Sequence, residues 1–371
     1  GSEMCIRDRK ERIPRSYSTQ MQVMINTLND IRTSDKQISG THGIGVLMAN
    51  SLMFQRFPDH NGYDDPQFSS FYGQTLPLLK RGIPVELVHM ENTPFKDTFN
   101  GLQVLVMSYS NMKPMKSEYH NYLADWVKKG GTLVYCGEDV DPYQTVLEWW
   151  NTAGNAYKAP SEHLFEAMGL SRNPGDGTYR FGKGTVIVMR EDPKHFVLKG
   201  GNDRKYFETI VSAYESKTGK KIEIKNNFMV ERGPYTIAAV MDESSSKEPL
   251  KLSGLYIDLF DKGLPVLTVK QINPGEQGYL YDLNKVSGKV KAKVLCGASR
   301  IYDEKVGRQS YSFVAKSPLH TTNVSRVLLP RKPEKVLVNG KAEQPEWDES
   351  SKTLLLSFEN DPAGVNVSIE W

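Results

Sequence analysis

The stretch from Leu102 to Asp141 constrains the fold more than any other part of the chain. It begins with a short apolar run, continues through a helical pattern that ends at Gly130–Gly131, and closes with a second apolar run at Thr132–Cys136. Short runs rich in β-branched residues are typical of strands covered on both faces, and Lys128–Lys129 in the last helical turn complement the helix dipole. Because strand, helix and strand follow one another, the stretch predicts a βαβ crossover and therefore a parallel sheet.

The same alternation precedes this stretch. Strands are predicted at Ile44–Met48 and Pro84–His89, with a helix at Phe68–Lys80 between them. Four short strands that alternate with helices predict a doubly wound, flavodoxin-like parallel sheet. In such sheets ligands bind at the carboxyl ends of the strands, so the residues that follow each strand are the first candidates for a site.

Polar and aromatic residues follow the predicted strands. The binding candidates are Asn50, Gln55, Arg56, Ser108, Asn111, Trp149 and Trp150. Glu138 and Asp139 are the candidate catalytic acids, because cleavage of a glycosidic bond needs two carboxyl groups about 5–10 Å apart. The same residue types also fit a subunit contact or an ordinary solvated sheet edge, and the sequence leaves these alternatives open.

A nucleophilic hydrolase centre is not predicted at this edge. Such a centre needs a Cys or Ser on a glycine-flanked turn between a strand and a helix, with a His partner. Residues 107–111 (MSYSN) contain no glycine and have no adjacent histidine. Cys136 stands at a strand end where a reactive thiol is conceivable, although a buried, inert thiol is the commoner occupant of such a place.

From Lys220 onward the pattern changes to many short, partly alternating strands separated by Gly, Pro, Asn and Asp. This pattern predicts an antiparallel β-sandwich, or two small ones. One amphipathic helix is predicted near the start of the chain, at Ser18–Ile31, and is interpreted as a connector. The predicted fold class is α/β plus all-β, with a connector over residues 10–40, an α/β domain over 41–219 and a β-sandwich over 220–371.

The composition argues against several classes of partner and cofactor. The 47 basic and 44 acidic residues give a net charge of +3, which provides no reason to expect a nucleic acid or an anionic membrane as partner. No apolar run reaches the ~18–20 residues that a bilayer-spanning helix needs. The three cysteines lack CxxC spacing and the seven histidines lack HxxxH or HExxH spacing, so neither a metal nor another cofactor is predicted. The cellular compartment stays open.

The first nine residues are interpreted as foreign to the natural protein. Gly1–Ser2 resembles a cloning scar, and Met4–Arg9 resembles translated adapter sequence of the kind that enters metagenomic assemblies. Residues 1–9 are therefore left out of the fold prediction. The same interpretation predicts a bacterial, metagenomic source and a natural gene that begins upstream.

The order of these parts resembles the C-terminal region of clan-A glycoside hydrolases of the β-galactosidase trimerisation-domain type. The resemblance is carried by FYGQTLPLLKRGIPVELV, LQVLVMSYSNMKP, LADWVKKGGTLVYCGE and the closing VLVNGK, LLLSFEND and VNVSIEW. In that family a (β/α)₈ barrel holds both catalytic acids and precedes a class I glutamine-amidotransferase-like domain and a β-sandwich. The resemblance implies that this chain is the non-catalytic part of such an enzyme. Its implied partners are a carbohydrate, an N-terminal barrel domain and other copies of the chain.

Two other functions are compatible with the sequence. The chain is a carbohydrate-binding or assembly module if Trp149, Trp150 and the aromatic residues of the β-sandwich present their rings to sugars. It is a self-contained glycoside hydrolase if Glu138 or Asp139 acts as an acid at the strand ends.

Overall fold

The chain divides into two compact units. The computed structural model describes residues 14–31, 36–54, 68–198, 202–286, 288 and 290–371. The α/β unit comprises Ser39–Phe228 and Glu243–Lys247, and the β unit comprises Gly1–Ile38, Met229–Asp242 and Glu248–Trp371. Within the described ranges, none of the helices combines the length and the apolar character that a membrane crossing requires.

Six helices and 21 strands are used below to place residues. The helices are α1 (Arg15–Asp30), α2 (Ser51–Phe54), α3 (Ser69–Leu79), α4 (Glu118–Lys128), α5 (Pro160–Ala167) and α6 (Arg204–Thr218). The strands are β1 (Lys36–Ile38), β2 (Ile44–Met48), β3 (Glu86–His89), β4 (Val104–Met107), β5 (Thr132–Cys136), β6 (Gly177–Phe181), β7 (Gly184–Met189), β8 (Asn227–Arg232), β9 (Tyr235–Val240), β10 (Leu250–Asp258), β11 (Val266–Ile272), β12 (Gln277–Asp282), β13 (Lys293–Gly297), β14 (Arg300–Val306), β15 (Ser310–Lys316), β16 (Thr322–Leu328), β17 (Lys335–Val338), β18 (Lys341–Glu343), β19 (Glu346–Asp348), β20 (Thr353–Glu359) and β21 (Val365–Glu370).

The α/β unit is built on a six-stranded sheet with the order β3-β2-β4-β5-β7-β6. Neighbouring strands are parallel from β3 to β7, and β6 is antiparallel because it forms a hairpin with β7. One buried cluster joins a face of the sheet to α4 and α5 through Leu123 and Phe165, and a second joins the other face to α6 through Tyr206 and Ile210. The predicted α/β class is confirmed, and the antiparallel β6 is where the sheet departs from a purely parallel flavodoxin-like one.

Local sequence explains how the crossover closes. Helix α4 ends beside Gly130, whose φ of +125° is a conformation that glycine adopts without strain. Gly184 at the start of β7 lies against the end of α4, where a Cβ atom would stand 1.9 Å from the carbonyl oxygen of Val127. The absence of a side chain at Gly184 therefore lets the end of α4 approach the start of β7.

The β unit contains three antiparallel sheets, with strand orders β1-β8-β9-β12-β10-β11, β13-β16-β20-β19 and β14-β15-β21-β17-β18. The last two pack on one buried cluster that includes Phe313, Leu354 and Ile369. Buried and more exposed residues alternate along β15 and β21, as expected for a sheet that faces the core on one side and solvent on the other. The β-sandwich is formed by strands from Lys293 onward, whereas the strands between Asn227 and Asp282 join β1 in the six-stranded sheet.

Helix α1 belongs to the β unit. Val23 is buried in a cluster with Tyr235 and Leu295. The hydroxyl of Thr19 donates a hydrogen bond to the carbonyl oxygen of Thr322 at 3.0 Å. The helix that the sequence presents as a connector is thus packed on the strands of this unit.

Candidate functional site

The candidate site lies at the carboxyl edge of the parallel sheet in the α/β unit. The segments that leave β2, β4, β5 and β7 gather there because parallel strands end at the same edge. Buried polar side chains in these segments are Ser51, Ser108, Ser110, Asn111, Lys113, Asp141 and Asp192. Buried polar groups destabilise a fold unless they are hydrogen-bonded, so their partners determine what this edge can do.

Lys113 and Asp141 form a buried ion pair. The distance from Lys113 Nζ to Asp141 Oδ2 is 2.7 Å, and the two side chains are 6% and 2% exposed. Asp141 also accepts hydrogen bonds from the backbone N–H of Tyr143 at 3.0 Å and from Gln144 Nε2 at 3.1 Å. Burial lowers the pKa of Lys113, and the nearby carboxylate of Asp141 opposes this shift. The pair therefore ties the segment after β4 to the segment after β5.

The candidate acids Glu138 and Asp139 differ in environment. Glu138 is exposed, whereas Asp139 has a left-handed φ of +59° and its side chain faces the protein. Asp139 Oδ2 accepts hydrogen bonds from Ser161 Oγ and Arg190 Nη1, both at 2.7 Å. The hydroxyl of Tyr135 donates to Asp139 Oδ1. Both carboxylate oxygens of Asp139 are thus engaged by protein donors, and Arg190 balances the charge.

Ser108 and Asn111 take part in hydrogen bonds inside the protein. Ser108 is fully buried, and its Oγ accepts a hydrogen bond from the backbone N–H of Ser110 at 3.0 Å. Asn111 Nδ2 donates to Ser70 Oγ at 3.4 Å, and Ser70 Oγ donates to Asp192 Oδ1 at 3.1 Å. Ser108 therefore stabilises the segment after β4, and Asn111 connects that segment through α3 to the segment after β7.

Asn50 is the binding candidate that solvent reaches at the end of β2. Its side chain is exposed, and its backbone N–H donates to Glu91 Oε1 at 3.0 Å. Glu91 Oε2 is buried without a hydrogen-bond partner among the described residues. Gln55 and Arg56, the next two candidates, lie outside the described residues.

The two adjacent tryptophans occupy different environments. Trp150 is 2% exposed, and its indole N–H donates to the carbonyl oxygen of Gln144 at 3.0 Å. Trp149 is half-buried and donates to the carbonyl oxygen of Pro114 at 2.8 Å. The buried ring of Trp150 is surrounded by protein and is not available to stack on a sugar, which corrects the expectation for this residue. Trp149 remains partly accessible.

A chain of Tyr109, His120 and His163 crosses the same region, and the sequence analysis missed it. Tyr109 Oη is 2.6 Å from His120 Nε2, and His120 Nδ1 is 2.8 Å from His163 Nδ1. Burial, followed by the neighbouring His163, holds the pKa of His120 well below its ordinary value, and burial also lowers the pKa of His163. His120 precedes the buried Leu123 and Val127 by three and seven residues on α4. That helical spacing is the signal that places His120 on the buried face.

The free energy of unfolding of the α/β unit is expected to fall as the pH drops below about 6.5, the value at which histidine titrates in an unfolded chain. Because the folded-state pKa values of His120 and His163 are lowered, the unfolded chain binds more protons in this range. Stability is therefore fully present above the unfolded-state value and declines as the pH falls towards the folded-state values. Urea unfolding at several pH values, followed by hydrogen exchange of peptides from β4 and β5, measures the slope.

His120→Gln should flatten this slope, and His195→Gln, which changes an exposed histidine, should leave it unchanged. An unaltered slope in His120→Gln would contradict the assignment.

The cysteine at this edge is an inert thiol. Cys136 is completely buried, and burial raises its pKa far above the ordinary value, so it stays protonated. Among the described residues, no group of three or more His, Cys, Asp or Glu side chains is placed to hold a metal ion. The described part of the edge is thus a network of neutralised charges and hydrogen bonds, with Asn50, Glu138 and Trp149 as its accessible candidates.

Comparison with known proteins gives partial structural similarity. No protein-family model and no curated protein matches the chain. A β-galactosidase from Bacillus circulans sp. alkalophilus is 12% identical, with 71% of this chain and 43% of that chain covered and a TM-score of 0.42. The GH42 β-galactosidase Gan42B from G. stearothermophilus is 12% identical, with 65% of this chain and 40% of that chain covered and a TM-score of 0.38. The β-galactosidase from the psychrophilic Marinomonas ef1 is 11% identical, with 71% of this chain and 41% of that chain covered and a TM-score of 0.36. The chain therefore spans less than half the length of each of these glycoside hydrolases, to which it is similar at low identity.

Proposed function

We propose that this chain is the non-catalytic C-terminal part of a bacterial glycoside hydrolase of the β-galactosidase type. In the parent enzyme a separate barrel domain carries the catalytic acids, and this part supports oligomerisation and shapes the sugar site. The α/β unit corresponds to the trimerisation-type, amidotransferase-like domain of the resemblance. The observation that carries the proposal is the state of the acids at the carboxyl edge: Asp139 and Asp141 are both held in ion pairs.

The acids after β5 do not provide the two carboxyl groups that glycoside cleavage requires. This reaction needs one carboxylic acid that protonates the leaving group and a second carboxylate that acts as nucleophile or base, both facing the same sugar. The oxygens of Asp139 are occupied by Tyr135, Ser161 and Arg190. Among the described residues that follow β5, Glu138 is then the accessible acid, and one accessible acid is half of the required pair.

The surface of α1 supports the oligomerisation part of the proposal. No charged residue occurs from Ser16 to Asn29. Within this stretch the helix exposes large apolar side chains at three- and four-residue spacing, namely Tyr17, Met21, Ile25 and Leu28. An exposed, charge-free apolar stripe is typical of a protein–protein contact.

Assays on a panel of aryl glycosides, with hexose and pentose glycosyl groups of both anomeric configurations and a phenolate leaving group, test the proposal. We expect no turnover above that of buffer, because the described residues after β5 offer one accessible acid where the reaction needs two. Glu138→Gln and Asp139→Asn should then behave as the unaltered chain does. Clear turnover that either substitution abolishes would overturn the proposal and favour a self-contained glycoside hydrolase at the carboxyl edge.

A further inference from the structure

The outer face of the five-stranded sheet β14-β15-β21-β17-β18 contains a groove of about 480 Å³. Its floor is formed by the central strands β15 and β21, whose outward side chains here are short. Ser312 pairs with Ser368, and Val314 pairs with Asn366. Three strand spacings of about 4.8 Å separate β14 from β17, so the face offers a width of about 14 Å.

Longer side chains on the flanking strands form the walls. On one side, Lys305 lines the groove and is paired with Ser312, and Tyr302, paired with Val314, adjoins the lining. On the other side, Leu337 is paired with Ser368. The groove thus forms because the side chains on the two central strands are shorter than those on the two flanking strands.

The wall on β14 has an irregular backbone. The pairing of β14 with β15 shifts register between Tyr302 and Lys305. Asp303 lies inside this irregularity with a φ of +52°, in the left-handed region that non-glycine residues rarely adopt. Bulges bend a strand and redirect its side chains, and they are frequent beside binding sites. The irregularity brings both Asp303 and Lys305 into the lining of the groove.

The polar groups of the groove are available to a ligand. The side chains of Asp303, Lys305, Ser312, Asn366 and Ser368 make no hydrogen bond or ion pair with other described residues, and each is exposed or half-exposed. They supply hydroxyl, amide, ammonium and carboxylate groups, so both donors and acceptors are present. Opposite charges on the two β14 residues leave the lining without a net charge.

Apolar surface accompanies these polar groups. Val314 and Leu337 are half-buried in the lining. Beside the lining, the ring of Tyr302 is 44% exposed on the same face, next to Val314, and Lys316 Nζ lies 5.5 Å from the ring centroid. A tyrosine ring offers an apolar body and a polar tip, which matches a pyranose with its C–H face and its hydroxyl groups.

The strand arrangement argues against an extended peptide as the occupant. Peptides that add to a sheet use the main-chain groups of a free edge strand. Here β15 and β21 are paired on both sides, so a ligand in the groove meets side chains alone. A polyol, whose many hydroxyl groups bond to side chains, fits this condition better than a peptide.

We propose that this groove binds a neutral oligosaccharide, with the Tyr302 ring as platform and the hydroxyls of Ser312 and Ser368 as hydrogen-bonding groups. The inference deepens the proposed function, on which it rests for the carbohydrate class of the ligand. It adds a sugar subsite in the β unit, apart from the carboxyl edge of the α/β unit.

Calorimetric titration of the whole chain with neutral tetrasaccharides of galactose, glucose, mannose and xylose tests the inference. We expect at least one of them to bind and Tyr302→Ala to weaken that binding by about tenfold or more, as truncation of an aromatic anchor does. Tyr72→Ala is the matched control, because Tyr72 is 43% exposed and lies in the α/β unit. The affinity of this variant for the tetrasaccharide should equal that of the unaltered chain. Ser368→Tyr, which fills the groove from an outward position, should also weaken binding.

Three outcomes would overturn the inference: no binding of any tetrasaccharide, binding that Tyr302→Ala and Ser368→Tyr leave unchanged, or displacement of the sugar by an extended neutral peptide. These outcomes are independent of the glycosidase assays. A chain that neither hydrolyses nor binds sugars refutes the groove and leaves the scaffold role standing. A chain whose turnover is lost in Asp139→Asn refutes the scaffold role, and the groove variants still report on binding.

Discussion

Replacing Lys113 by methionine should lower the free energy of unfolding of the α/β unit by about 3–5 kcal/mol, because it leaves the carboxylate of Asp141 buried without its counter-charge. The two groups are 2.7 Å apart, and both side chains are more than nine-tenths buried. Methionine keeps most of the side-chain volume, so the loss of charge dominates the effect. Urea unfolding followed by hydrogen exchange of peptides from β4 and β5 measures it in this unit.

Lys116→Met supplies the matched control for this substitution. Lys116 pairs with Glu118 at 3.4 Å, but the two side chains are 64% and 52% exposed. Exposed pairs contribute about 0–1 kcal/mol, so this variant should remain close to the unaltered chain. Equal effects of the two substitutions would show that the Lys113–Asp141 pair does not hold the segments after β4 and β5 together.

Trp150→Ala should lower the free energy of unfolding of the same unit by a similar amount, about 3–5 kcal/mol, because truncating a buried tryptophan leaves a cavity. Trp150 is 2% exposed and packs edge-on against Trp149, with ring centroids 5.7 Å apart. Leu147→Ala, which changes a side chain that is 79% exposed, is the control and should have little effect. The same unfolding measurement compares the two variants.

The opposite result for Trp150 would have a clear meaning. If Trp150→Ala were as stable as Leu147→Ala and bound a sugar with altered affinity, Trp150 would be a sugar-binding residue after all. We expect instead that Trp150→Phe, which keeps a ring in the core, restores most of the stability.

Strand bounds and helix ends are predicted well from the sequence, because they depend on residues that are adjacent along the chain. Strands β2 and β5 have the predicted bounds, because each is an apolar run with polar or glycine residues at its ends. Helix α6 ends at Thr218, and Gly219 after it has a φ of +68°, the left-handed turn that terminates a helix. Helix α4 ends before its double glycine, as predicted.

Pairings between distant residues were not predictable from such patterns. Strand β1 pairs with β8 through Lys36 and Arg232, and nothing in a three-residue strand indicates a partner so far along the chain. The state of Asp139 depends on Arg190, which follows the hairpin of β6 and β7. Spacing presents Asp139 as a candidate acid, but only the three-dimensional pairing shows that its oxygens are occupied. His120, by contrast, could have been placed on a buried face from its helical spacing.

The division of the chain into units has a consequence for how it matures during synthesis. Almost all of the α/β unit is one uninterrupted segment, Ser39–Phe228, whereas helix α1 and strand β1 of the β unit are made before it and their strand partners after it. Domains fold as units while the chain emerges from the ribosome. The α/β unit can therefore reach its final state first, while α1, whose Val23 packs with Tyr235 and Leu295, waits for strands that do not yet exist.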